Sequence, residues 1–446
     1  MVPALVLLWA PLTRGESDAT PQLGPPPQYL ERPAAPSVVA PMVPLVEGPG
    51  IAVDTTNRSN VVAFFNNVYL PSTNVPIGWT GSISGCVPGT TGQAYTDATV
   101  QRVNYYRAMA GLPANIVLNT SLTDLGLTPS TEDQSAALMM SAQNALSHAP
   151  PTNWACYTAL GAQAAGKSNI ALGAAGADAV ALYMEDPGQT NSFVGHRRWL
   201  LYPPQTAIGT GSVAFTSSSP PALAANALWV IPTAEIATWG ARPVTPNGVA
   251  WPPPGFVPYQ IMPSSRWSFS YGEGASSNPS FAADFSGAAV SMSQGAVNVP
   301  VTLEAQNNNV GFGDNTLVWR PQGIVTTASA PDITYTVTIS NVRIGGVPRQ
   351  FTYAVTVIDP GRYPSIEAQA RTDITTFATT HGFGTEVPGW FGSIPNWGDV
   401  WNLYWDLFTG PGGYIVIYQI TYVADPRFRF LTTYDFTSFS GWTAAP

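Results

Sequence analysis

The chain holds three histidines, His148, His196 and His381. His148 sits in NALSHAPP, and His196 in NSFVGHRRWLLYPPQTAIGTG, with Glu185 eleven residues before it, at the end of the helix expected over ALYMED. Imidazole titrates near neutral pH, so the pair could move protons. Two imidazoles and a carboxylate are also a donor set for zinc or another divalent cation. In a hydrolase, His148 or His196 would act as general base with Glu185 as the orienting acid. Spacing does not bring the three together, and two unrelated hydrogen-bonded histidines fit the same residue types. Ser168 adds a hydroxyl, which with an imidazole and a carboxylate outlines a triad, but no G-x-S-x-G elbow surrounds it. Arg197 and Arg198 follow His196 directly and either recognise an anionic group or hold a cleft wall or domain interface. Arg107 reads as a structural pair inside a helical layer, and His381, in TTHGFG, as a surface or capping residue.

These residues fall where helical patterns dominate. Thr96-Asp97 can cap a helix through VQRVNYYRAMAGLP, stopped by Gly111 and Pro113. Thr131-Glu132 opens a second helix through QSAALMMSAQNALSH, with His148 at its end and Pro150-Pro151 blocking continuation. A third helix is expected in GADAVALYMED, closed by Pro187-Gly188; a further helix or a turn begins near Gly195, and ALWVI around Leu228 reads as a strand. From about Ser264 to Pro360 the period becomes two. Tyr335, Val337 and Ile339 alternate with threonines, and after an IGG turn Phe351, Tyr353, Val355 and Val357 alternate again. An immunoglobulin-like antiparallel sandwich is the expectation, on pattern alone.

The flanks differ. Val2–Leu12 is apolar but too short to span a bilayer; it resembles a signal-peptide core without the usual basic residues before it. No other stretch is long and apolar enough for a membrane helix, so no transmembrane anchor is expected. The stretch to Gly50 is proline-rich, a linker composition. The last part, 361–446, carries Trp390, Trp397, Trp401, Trp405 and Trp442; these rings either fill a small core or form a platform for sugars.

At 446 residues, 10% charged and 45% hydrophobic, the chain is no charge-driven disordered protein. Its net charge is −9, and Lys167 is the one lysine among 17 basic residues. That balance offers nothing to offset phosphate charge, so nucleic acid is not an expected partner. Cys86 and Cys156 fit one disulfide in an oxidising compartment, with two buried thiols as the alternative.

The segments NYYRAMAGLP, NALSHA, KSNIALG, ALYMED and VGHRRWLLYPPQTAIGTG, in this order over about residues 95–211, resemble the CAP superfamily of cysteine-rich secretory proteins, venom antigens and pathogenesis-related proteins. The resemblance implies an α-β-α sandwich with a large cleft lined by two histidines and two acidic residues. It places His148 and His196 as the two histidines and Glu185 as one acid. The family's other glutamate precedes an Asn; here Lys167-Ser168-Asn169 puts Ser168 at that position, one charged ligand fewer. Asn169 would then support the site by hydrogen bonds. The resemblance and the scarcity of lysine together point to a bacterial-type member.

The expectation is thus a multi-domain α+β protein, secreted or of the cell envelope. It comprises a signal-like segment and linker (1–50), a CAP domain (51–263), an immunoglobulin-like sandwich (264–360) and a Trp-rich module (361–446). Its cleft (His148, Ser168, Asn169, Glu185, His196) would bind a small-molecule, lipid-like, glycan or protein ligand, with a divalent metal on His148, Glu185 and His196. The alternatives are a hydrolase acting on cell-wall or extracellular polymer, and a structural or adhesive surface component.

Overall fold

The computed structural model describes residues 20–29, 50–119, 129–217, 221–233, 238–245, 247–306, 311–328, 332–361, 374–389, 391–394, 402–410, 413–422, 425–432 and 443–444. The signal-like stretch and Trp390, Trp397, Trp401 and Trp442 lie outside these residues.

The first part contains β1 (Gln22–Leu23), α1 (Arg58–Phe64), α2 (Gln93–Met109), β2 (Val117–Leu118), α3 (Pro129–Gln143), α4 (Ala159–Lys167), β3 (Ser168–Leu172), α5 (Gly176–Glu185), α6 (Gly195–Leu200), β4 (Ala207–Val213) and β5 (Ala225–Trp229). The strands form one sheet in the order β1-β3-β5-β4-β2, antiparallel except for the β2–β4 pair. Side-chain alternation assigns its faces. Ile170, Leu172, Ala225, Ala227 and Trp229 pack with Ala136, Met140 and Ala164 of α3 and α4. Ala171, Ile208 and Leu228 point the other way, into the core that holds Tyr105 of α2 and Val180 and Tyr183 of α5. Helices therefore cover both faces of the sheet.

Three boundaries differ from expectation, one being the start of α3 at Pro129 rather than at Thr131. α2 starts at Gln93 with Gly92 in the N-cap position; Thr96 lies inside the helix and its hydroxyl bonds back to the Gly92 carbonyl, as mid-helix threonines do. α3 ends at Gln143 because Asn144 turns left-handed (φ 51°), so His148 sits in the turn beyond the helix rather than at its end. One close approach explains the second glycine of IGTG: a Cβ on Gly211 of β4 would lie 2.1 Å from the Gln134 backbone nitrogen of α3.

The second part holds β6 (Val249–Trp251), β7 (Gly255–Pro258), β8 (Trp267–Ser270), β9 (Ala283–Asp284), β10 (Ala289–Gln294), β11 (Val297–Val299), β12 (Val301–Ala305), β13 (Thr316–Pro321), β14 (Ile333–Ile344) and β15 (Val347–Ile358). One sheet runs β11-β10-β14-β15-β7, the other β12-β13-β8-β6. β14 and β15 form the expected hairpin, joined by Gly345-Gly346 with φ of 56° and 82°, the left-handed geometry that a two-residue turn takes. Tyr335, Val337 and Ile339 are fully buried while Thr334 and Thr336 are exposed. Trp251, Trp267, Trp319 and Tyr335 belong to the same hydrophobic cluster as Tyr105, Tyr183 and Trp199, so one core runs through both parts.

Toward the carboxy end, a helix over 374–380 lies beside a sheet of β16 (Gly392–Ile394), β17 (Asn402–Gly410), β18 (Gly413–Tyr422), β19 (Asp425–Thr432) and β20 (Thr443–Ala444). Ile374 and Phe377 pack with Phe408 and Ile417. Trp405 is half-buried against Gly392, and His381 caps the helix through the Phe377 carbonyl.

Candidate functional site

His196 is held by the turn between α5 and α6. Asp186 ends α5 in the left-handed region (φ 52°), and Val194 precedes α6 in the same region (φ 49°), an uncommon conformation for a β-branched residue and a sign of local strain. The two bends aim the Asp186 carboxylate at the start of α6. Oδ2 accepts from the His196 and Arg197 amides at 2.9 and 3.2 Å, and Oδ1 faces His196 Nδ1 at 2.8 Å. The ring stacks on Tyr183, with centroids 5.7 Å apart and planes 12° apart. Tyr183 donates its hydroxyl to Asn226 Oδ1, and Asn169 Nδ2 donates to the His196 carbonyl. Burial raises the Tyr183 phenol well above its ordinary value. His196 Nε2 is buried and has no partner among the described groups.

His148 is near enough for the charge of His196 to lower its proton affinity, although burial is the larger cause of its displacement below 6.5. Both its ring nitrogens meet main-chain carbonyls: Nδ1 lies 2.5 Å from Ala165 O, and Nε2 lies 2.5 Å from Pro25 O. The second partner comes from the proline-rich amino-terminal stretch. Residues 20–29 lie across the site: β1 adds to the edge of β3 in the register Gln22↔Leu172, and Trp199 Nε1 donates to Pro27 O at 2.8 Å.

The remaining expected residues go elsewhere. Ser168 is fully buried, with Oγ 2.7 Å from both Asp133 Oδ1 and the Ala164 carbonyl. One hydroxyl proton serves one acceptor, so both contacts are made when Asp133 keeps its own proton; burial indeed holds the Asp133 carboxyl well above its ordinary range. Glu185 accepts from the backbone amide of Ser264 at 3.0 Å and from its hydroxyl. It lines a cleft of about 720 Å³ between α2 and α5 whose walls include neither histidine. His148, Glu185 and His196 thus do not converge, and among the described residues no three His, Cys, Asp or Glu side chains could hold a metal ion. With one ring nitrogen free, the donor set as arranged does not fit zinc.

The arginines are structural. Arg107 donates to the carbonyls of Pro113, Leu200, Tyr202, Pro203 and Gln205, and burial brings its guanidinium down to about 9. Arg197 reaches Met184, Glu185, Arg266 and Ser268. Arg198 reaches the Asp314 carbonyl, so both bind the first part to the strands of the second. Cys86 and Cys156 are joined in a disulfide that closes a separation of 70 residues.

Against this geometry stands a family match: the model of the cysteine-rich secretory protein family, CAP, covers residues 100–219. The chain carries a CAP domain. No curated protein matches the chain. The match spans both site histidines, Ser168, Asn169 and Glu185. Three partners of these residues carry no signal in the sequence. Asp186 is adjacent to Glu185 in ALYMED, and only the left-handed end of α5 decides which carboxylate turns to His196. Asp133 follows Glu132 in the first turn of α3 and carries no motif. The proline-rich stretch reads as linker, with no local sign that it returns to the CAP domain.

Proposed function

We propose that this is an exported protein whose CAP domain is a non-catalytic binding module. The strand-rich part that follows, read as an immunoglobulin-like sandwich, serves as its companion at the cell exterior. The observation that carries the reading is the state of the polar groups around the histidines. His148 and Trp199 spend their donors on the main-chain carbonyls of Pro25 and Pro27, His196 Nδ1 is engaged by Asp186, and the candidate nucleophile Ser168 is buried against a carboxyl that favours its proton. A binding groove needs matched donors, whereas a hydrolytic centre needs a base poised on a reachable nucleophile or water. The disulfide fits an oxidising compartment, and no helix among the described residues is long and apolar enough to cross a membrane.

The test is turnover. Incubated with peptidoglycan, extracellular polysaccharide and casein, the protein should release no more soluble product than a heat-treated control. Release that disappears in the His148→Ala, His196→Ala double variant would overturn the reading.

A further inference from the structure

Resting on that reading of a binding module, we infer that the groove between β3, His148 and α6 is a receptor site for an extended proline-rich peptide, and that residues 20–29 (TPQLGPPPQY) are a self-ligand seated in it.

The seat is built along the whole segment. At its start, Gln22 and Leu23 pair with Leu172 and Ala171, adding a strand to an open sheet edge, one of the general modes of peptide capture. Next comes Gly24-Pro25-Pro26-Pro27. Each residue before a proline is held extended, and prolines carry no N–H, so the carbonyls of such a stretch have no partners within it. The groove supplies donors at the alternate carbonyls, His148 Nε2 to Pro25 and Trp199 Nε1 to Pro27. Between them the Pro26 ring is buried on Gly195, where a Cβ would lie 2.3 Å from Pro26 Cγ and 2.8 Å from the Phe193 ring. Glycine at 195 is what admits the proline. At the far end the Tyr29 ring meets Trp239 edge-on at 4.9 Å, and the Tyr29 amide donates to the Gly311 carbonyl.

Strand addition, two ring N–H donors set for carbonyls two residues apart, a slot for a proline ring and an aromatic clamp specify one chemical class. The ligand is a peptide with an apolar residue, consecutive prolines and an aromatic end. None of these contacts requires the peptide to be covalently attached. A tethered copy acts at an effective concentration on the order of millimolar, so it masks the groove until a competing segment displaces it. That segment is residues 20–29 of a second copy of this chain, the sequence the groove is shown to hold.

The experiment keeps the fold intact and frees the segment. A protease site inserted between residues 30 and 49 of the full chain is cut after purification, and fluorescein-labelled TPQLGPPPQY is added while polarisation is read. The labelled peptide should exchange into the cut protein and not into the uncut one. His148→Ala or Trp199→Phe should each weaken uptake roughly tenfold, the loss expected for one hydrogen bond in such a groove. A peptide with arginine for the central proline should fail to bind. Light scattering on the chain at rising concentration should show a dimer; a monomer at every concentration would overturn the second copy as the competing partner.

Three results would overturn the inference: no uptake by a cut protein with an unchanged circular dichroism spectrum, equal uptake of a scrambled peptide, or loss of the fold when the segment departs. Polymer turnover appearing in the cut protein would instead sink the non-catalytic reading and leave peptide uptake to be judged on polarisation.

Discussion

Asp186 Oδ1 lies 2.8 Å from His196 Nδ1 with both side chains fully buried, while its other oxygen receives two backbone amides at the start of α6. One carboxylate thus fixes a ring and caps a helix. Asp186→Ala leaves two buried amides and the ring nitrogen without their acceptor and should cost at least the ~1–3 kcal/mol of one unsatisfied buried donor. Asp186→Asn, which keeps an acceptor oxygen, should cost less. Chemical denaturation checks the order; equal losses for the two variants would mean that the carboxylate charge, rather than its acceptor geometry, dominates.

Gly211 is the point where β4 touches the backbone of α3. Gly211→Ala places a methyl group about 2 Å from the Gln134 nitrogen, so α3 must move away. The loss should be at least the ~1–3 kcal/mol of ordinary overpacking, read as a lowered midpoint. A variant as stable as the parent would show that the two elements are not in contact.

Asp133 and His148 give opposite pH signatures. Burial raises the Asp133 carboxyl above 3.8, so the native state binds that proton more tightly than the unfolded chain does. Its contribution is full below that value and is lost as pH rises through the native one. Burial lowers His148 from 6.5, against the Ala165 and Pro25 carbonyls, which favour the charged ring. Its contribution is full above 6.5 and is lost as pH falls through the native value. Unfolding free energies from about pH 4 to 8 should therefore turn in favour of Asp133→Asn as pH rises. In the same series, His148→Gln should gain on the parent as pH falls. Variant curves parallel to the parent's would contradict both assignments.

The sequence exposed the layers more readily than the contacts. Helical patterns with their start and stop signals located α2, α3 and α5, and alternation over Tyr335–Ile339 and Phe351–Val357 located the β14–β15 hairpin, because periodicity is a local property of the residues that face a core. The two histidines were legible as residue types in a recognised order. Their partners were not. Which of Glu185 and Asp186 turns inward depends on one backbone angle, and the return of Pro25 to His148 is a contact across more than a hundred residues that no local pattern encodes. The same reason hid the assignment of Arg197 and Arg198 to the strands around Arg266 and Asp314.

Removing the disulfide should be felt throughout the CAP domain, because it closes a loop of 70 residues. Cys86→Ala with Cys156→Ala should lower stability by about 2–4 kcal/mol, and reduction of the parent with dithiothreitol should shift its melting midpoint in the same direction. An unchanged midpoint under both treatments would mean that the surrounding chain is held without it.

The parallel pairing of β7 with β15 joins Val257 to Val357, and Trp251 shares its core with Tyr335 and Val355. During synthesis the amino-terminal half is therefore born unfinished. At about 5–20 residues per second, the ribosome needs on the order of 5–20 s to deliver the strand that closes it. For that interval the face of Trp251 waits uncovered for Tyr335 and Val355, so the two parts complete one another only once β15 has emerged.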